Sequence, residues 1–323
     1  KFGCIFISLN LKFQRLNMIY QSLFTIFILL AGGYISKLIK VLKQKQSRSL
    51  FDFVVVFALP CLIFDKIYHL NFNFSLILLI FAGFISTSLA GIISVIVGRV
   101  FKFSKPTILS MFVLSAFGNT LFVGMPVVSN VFGEEFVGEV IMYDSLAGAI
   151  PISILVPLIL AMNNGEKVTI VKNIKTIIYF PPFIGLVFGL VLKGFEIPEF
   201  VFAPIRMFGG SATPVALFAI GLSLGFNAIK SSCKSTVIVL FMKMILAPAI
   251  FILILQCFGA AFDKSTLIAV LESSMPTATI VCVMVMKAKL DSNLAASSVA
   301  FGLVLSVITL PILLNILTGL STF

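Results

Sequence analysis

Charged residues make up only 11% of this 323-residue chain, against 60% hydrophobic ones and a mean hydropathy of +1.18. That balance excludes an ordinary soluble domain, in which about a quarter of residues are charged. Histidine occurs once, as His69, so no histidine relay is available. The five cysteines, Cys4, Cys61, Cys233, Cys257 and Cys282, include no Cys-x-x-Cys pair and indicate neither a disulfide framework nor a zinc site. Enzyme motifs are missing too: there is no His-Glu-x-x-His, Gly-x-Ser-x-Gly, phosphate loop or Gly-x-Gly-x-x-Gly. The chain reads as a non-enzyme that uses no cofactor or metal and hydrolyses no ATP.

What is present is apolar matter in blocks of about 20 residues, the length of an α-helix crossing roughly 30 Å of hydrocarbon. Runs such as Leu76-Ile-Leu-Leu-Ile-Phe-Ala-Gly-Phe84 do not alternate, which excludes a transmembrane β-barrel. The pattern predicts an all-α integral membrane protein with ten spans, about 19–39, 50–66, 74–98, 107–132, 139–162, 176–193, 206–226, 236–258, 265–287 and 293–317. Residues 1–17 are too short and too interrupted by polar residues to span, and read as an extension outside the native protein or an interfacial anchor. The net charge of +11 forms no basic face for nucleic acid; it marks topology instead. Fifteen Lys and Arg residues fall in one set of alternate loops, from Lys37 to Lys289. Four, Lys66, Lys193, Arg206 and Lys264, fall in the other set with Glu134, Glu135 and Glu139. By the positive-inside rule this predicts a multi-pass protein of the cytoplasmic (plasma) membrane with both termini outside.

Two spans contain residues that should break them. Ser115-Ala-Phe-Gly-Asn-Thr-Leu-Phe-Val-Gly-Met-Pro126 and Leu271-Glu-Ser-Ser-Met-Pro-Thr-Ala-Thr279 each carry a Met-Pro pair among polar neighbours. Proline lacks the N–H and crowds the preceding turn, so breaks are expected at Gly124-Met-Pro126 and Met275-Pro276. At bilayer depth such breaks are tolerated only where they line a cavity or are buried in protein. Pro60 and Pro214 lie 154 residues apart, Pro126 and Pro276 150, and Pro157 and Pro311 154. Five spans per half would invert the second copy, giving two inverted five-helix repeats, 18–162 and 176–323, joined by a cytoplasmic linker, 163–175.

Candidate binding groups follow. Asn119 offers a carboxamide at mid-membrane without the cost of a buried charge. A half-helix starting near Thr277 would turn its positive dipole end into the site and favour an anion, with Ser274 and Thr279 beside it and Gly124 in the corresponding place of the first half. Glu272 is a proton or cation candidate, or else pairs with Lys243, the one lysine well inside a span; Lys243 alternatively snorkels to the cytoplasmic end. Asp144 either lines an outer vestibule or takes part in coupling. Asp52 and Asp65 are placed at the interface and His69 in an outer loop.

These stretches resemble the auxin efflux carrier family, in its prokaryotic, malate permease-like branch. The matching pieces are Ala31-Gly-Gly-Tyr34 leading into Phe57-Ala-Leu-Pro60, Gly118-Asn-Thr-Leu-Phe-Val-Gly-Met-Pro126, Phe132-Gly133, Ala212-Thr-Pro214, Ile220-Gly221 and Ser274-Met-Pro-Thr-Ala278. The resemblance implies a scaffold part and a transport part, broken helices crossing at the prolines, elevator-like alternating access, and weak organic acids as substrates. It places Asn119, Pro126 and Pro276 at crossover positions. The long hydrophilic loop of plant members is reduced to 163–175, and no Asn stands in the second broken helix, where Thr277 or Thr279 substitutes.

The expected function is secondary transport of a small organic anion such as malate or an auxin-like weak acid. The expected partners are that anion, a proton or sodium ion, and the lipid bilayer, with a homodimer left open. A sodium-coupled symporter of the bile acid transporter type and a non-transporting sensor or scaffold are the alternatives.

Overall fold

The computed structural model describes residues 2–71, 74–164, 178–223 and 232–320. Most of the expected linker 163–175, with Lys167, Lys172 and Lys175, lies outside them, as does Lys230. Among the described residues the chain is helical throughout and has no strand. We number the helices α1 (Phe2–Leu38), α2 (47–69), α3 (Phe74–Val100), α4 (Lys105–Ala116), α5 (Thr120–Phe132), α6 (137–164), α7 (Pro181–Leu192), α8 (199–223), α9 (Cys233–Cys257), α10 (Lys264–Ser273), α11 (Thr279–Lys287) and α12 (Ser292–Leu320). The backbone of residues 2–17 continues α1 without a break. Among the described residues, six helical stretches are long and apolar enough to cross a membrane: Asn17–Leu38, Phe74–Val100, Glu134–Ile159, Glu199–Ser223, Cys233–Cys257 and Ser292–Gly319. The other expected spans fall on α2, on the short α7, and on the broken pairs α4–α5 and α10–α11.

Proline shapes these helices more than it stops them. Four of them contain a widened π turn, at Val54–Ala58, Thr120–Gly124, Asp144–Ala149 and Met242–Leu246. Each is followed two residues later by a proline, Pro60, Pro126, Pro151 and Pro248. A proline ring collides with the carbonyl four residues back. Those carbonyls belong to Val56, Phe122, Ala147 and Met244, all within the wide turns, where the ladder is already opened. The expected break at Gly124-Met-Pro126 is therefore absent. Pro126 is the second residue of a regular turn, and the chain leaves the helix two turns earlier, at 117–119.

Packing sorts the helices into two groups. In one, α1 lies along α8, and α2 lies against α7 and α8. The approach of α1 to α8 is close because both surfaces carry glycine: a Cβ on Gly33 would collide with Phe218 O, and one on Gly221 with Leu30 O. Small residues allow this contact where helices gain little from burial alone. In the other group α3 packs against α4, α9 and α10, and α12 against α9 and α11. The groups meet where α1 touches α5 and α12. Large apolar side chains such as Phe24, Phe81, Leu253 and Ile308 face outward, more than half exposed, as a hydrocarbon surround requires.

Candidate functional site

The centre of the second group is a place where two helices stop and their chains cross. Helix α4 ends at Ala116 and α10 at Ser273, and each continues as extended backbone before α5 or α11 begins. The two extended pieces run antiparallel, with Gly118 opposite Thr277. The Asn119 N–H donates to Pro276 O at 2.6 Å and the Ala278 N–H to Phe117 O at 3.0 Å. These bonds satisfy backbone groups that a broken helix leaves bare in a place without water. The Thr277 hydroxyl donates to Leu114 O at 3.0 Å and so covers a terminal carbonyl of α4. Both α5 and α11 begin here, so two helix N-termini, where backbone N–H groups lack intrahelical acceptors, converge on the crossing.

Around this crossing lie polar groups sealed from solvent. Asn119 is 6% exposed and its side chain caps no helix end. Thr279 Oγ1, on the first residue of α11, and Ser115 Oγ are buried with no hydrogen-bond partner. Glu272 is fully buried, and neither carboxylate oxygen has a hydrogen-bond partner. Its carboxylate lies directly over Gly124, where an added Cβ would collide with it. The Tyr143 hydroxyl is likewise buried and unpartnered. Asp144 accepts a hydrogen bond from the Thr120 hydroxyl, which joins the wide turn of α6 to the start of α5, and it acts electrostatically on Glu272. An unpartnered buried group costs about 1–3 kcal/mol, more when charged, so this set is held against its own interest.

The sequence-derived positions therefore divide. Asn119, Pro276, Thr277 and Thr279 stand at the crossing, and Ser274 stands beside it with its hydroxyl donating to Leu271 O at 2.6 Å. Gly124 stands over Glu272. Pro126 does not stand at the crossing; it lines a separate cavity of about 400 Å³ between α2, α5, α6 and α8. Two basic residues border that cavity: Lys66 pairs with Glu134 at 2.9 Å, and Arg206 with Asp65 at 3.0 Å. Asp65 is 6% exposed and paired, and His69 ends α2, where its Nδ1 lies 2.7 Å from Asp65 O. Lys243 does not snorkel: it is 1% exposed, and its ammonium donates to Ser273 O, the last residue of α10. The signal for Lys243 was its position two turns inside an apolar span; for Arg206 and Lys66 the sequence offered only charge.

A sequence model of a family described as membrane transport protein matches residues 18–314. Two archaeal proteins named as uncharacterized transporters are similar along nearly their whole lengths. That of Methanothermobacter thermautotrophicus is 26% identical over 90% of this chain and 96% of its own. That of Methanocaldococcus jannaschii is 29% identical over 85% and 91%. Auxin efflux carrier component 8 of Arabidopsis thaliana is 21% identical over 88% and 93%.

Proposed function

Because the chain belongs to the membrane transport protein family, whose members are named as transporters and not enzymes, we propose that it is a secondary transporter of a small organic anion, such as malate or an auxin-like weak acid. The observation that carries this reading is the buried crossing of 117–119 with 276–278, onto which two helix N-termini converge. An anionic carboxylate there meets the N–H groups of the two helix N-termini, the Thr279 hydroxyl and the Asn119 carboxamide, a donor set that favours a negative ligand. The name of the plant relative supports the weak-acid class.

The protein crosses the plasma membrane ten times with both termini outside, as two inverted repeats, 18–162 and 176–323. The group of α1, α2, α7 and α8 serves as scaffold, and the remainder moves against it as an elevator. In this scheme the cavity bordered by Lys66 and Arg206 is the vestibule through which the anion approaches α5. Glu272 and Asp144 form the coupling pair. A proton taken by Glu272 removes a buried charge that has no partner, so loading is favourable and couples proton movement to the anion.

The test is uptake of radiolabelled malate into proteoliposomes under imposed pH, sodium or voltage gradients, with Asn119→Ala as control. Saturable uptake that a pH gradient drives, with affinity weakened in the variant, is the expected result. Uptake that responds to none of these gradients removes the coupling role of Glu272. If malate does not move, a panel of other carboxylates follows, and failure of the whole panel overturns the anion reading.

A further inference from the structure

Two helices, α4 and α10, end at the crossing with their carbonyl ends inward. Each helix C-terminus is equivalent to roughly −0.5 charge, so together they present about one negative charge in a place that excludes water. Such ends, with the unwound carbonyls beside them, are where membrane carriers hold an alkali cation. In this chain a covalently attached cation already stands there. The Lys243 ammonium donates to Ser273 O at the end of α10. A Cβ added to Gly118 would lie 2.9 Å from Lys243 Nζ, 2.8 Å from its Cε and 3.0 Å from Met275 O. The ammonium and the Met275 carbonyl therefore both lie over the glycine of the crossing, and the missing side chain of Gly118 is what leaves room for them. Lys243 comes from the wide turn Met242–Leu246 of α9 and is 1% exposed. The other titratable groups facing this region are Glu272, Asp144 and Tyr143.

We propose that Lys243 is a tethered replacement for an alkali cation: its ammonium occupies the cation position at the crossing, so the protein neither binds nor requires sodium there. One ammonium balances the two helix ends and leaves the carboxylate of Glu272 over. This deepens the transport reading, since it leaves the proton as the coupling ion, but the site itself exists whatever solute moves.

The experiment reads melting temperature, not transport, so its failure is distinct from failure of the anion reading. The purified full-length chain is melted in choline, potassium, sodium, lithium and methylammonium chloride at equal ionic strength, as wild type, Lys243→Ala and Lys243→Met. The wild type should melt at the same temperature in all five salts. Lys243→Ala should melt several degrees lower in choline and recover at least half of that loss with sodium or methylammonium, which enter the space the side chain leaves. Lys243→Met, which fills that space without charge, should melt lower and recover with neither. A rise in wild-type melting temperature with sodium overturns the proposal, as does a folded Lys243→Ala that no small cation restores. The wild-type series needs no variant, so a Lys243→Ala chain that does not fold still leaves the proposal open to refutation.

Discussion

The two interrupted helices solve one problem by different means. Between α4 and α5 the break is short, proline stands two turns away, and a π turn absorbs it; the polar residue at the break is the neutral Asn119. Between α10 and α11 the proline is in the extended piece itself, its carbonyl receives the Asn119 N–H, and the ionisable Glu272 sits one turn before. The first break thus supplies a neutral carboxamide and the second an ionisable carboxylate, with Thr277 reaching back to close the first helix. The difference teaches that two touching segments can carry a neutral amide and an ionisable acid separately, which is what the proposed division between recognition and coupling requires.

That division can be broken deliberately. The largest effect is expected from Glu272→Gln, which keeps the shape and removes the charge. Accumulation of anion against a pH gradient should fall at least tenfold, while exchange of labelled for unlabelled anion persists; intact accumulation would take the coupling role away from the second break. Next comes Gly124→Ala, whose Cβ must collide with the Glu272 carboxylate. Overpacking of this kind costs about 1–3 kcal/mol. The melting temperature should drop, and Gly124→Ala combined with Glu272→Ala should melt above Gly124→Ala alone; an additive loss would mean the two residues are not in contact.

Thr277→Val keeps the volume but leaves Leu114 O uncovered, at about 1–3 kcal/mol. A lowered melting temperature with unchanged substrate affinity would mark Thr277 as a tie between the breaks, and a selective loss of affinity would mark it as a ligand. Asn119→Ala should weaken affinity roughly tenfold, a lost hydrogen bond to a charged group being worth about 1.5–3 kcal/mol, and leave the melting temperature in place. The smallest effect belongs to Lys66→Ala at the cavity. Its partly exposed pair with Glu134 contributes about 0–1 kcal/mol, so stability should not change. Only the apparent affinity at low salt should weaken, and the difference should vanish in high salt, measured by uptake in both.

How much of this was legible beforehand varied with the physics involved. The apolar blocks reported a membrane protein directly, because bilayer thickness is written into helix length. The Ser274-Met-Pro-Thr-Ala278 interruption was legible because its proline stands in the extended piece. Gly124-Met-Pro126 misled, because a π turn two residues upstream relieves the same clash without breaking the chain, and turn width leaves no residue signature as strong as proline itself. Asn119 stood out as a polar residue at depth. Lys243 was visible as an oddity, but its partner is a backbone carbonyl of another helix, and carbonyls are identical in every sequence. Arg206 and Lys66 were read only as topology markers, since their place beside a cavity depends on how α2, α5 and α8 pack.

The four wide turns have a consequence for how such a chain can change. Each holds one residue more than a regular α-helix has room for, which is the footprint a single-codon insertion leaves when the helix bulges locally instead of shifting. One residue is about 100° of helical rotation, so deleting a codon from a regular turn of α9 would swing everything on one side of it onto a different face. Deleting one within 242–246, other than that of Lys243, would instead close the bulge and leave the flanking helix on its present faces. Single-codon deletions should therefore be tolerated in these wide turns more often than in the regular turns beside them.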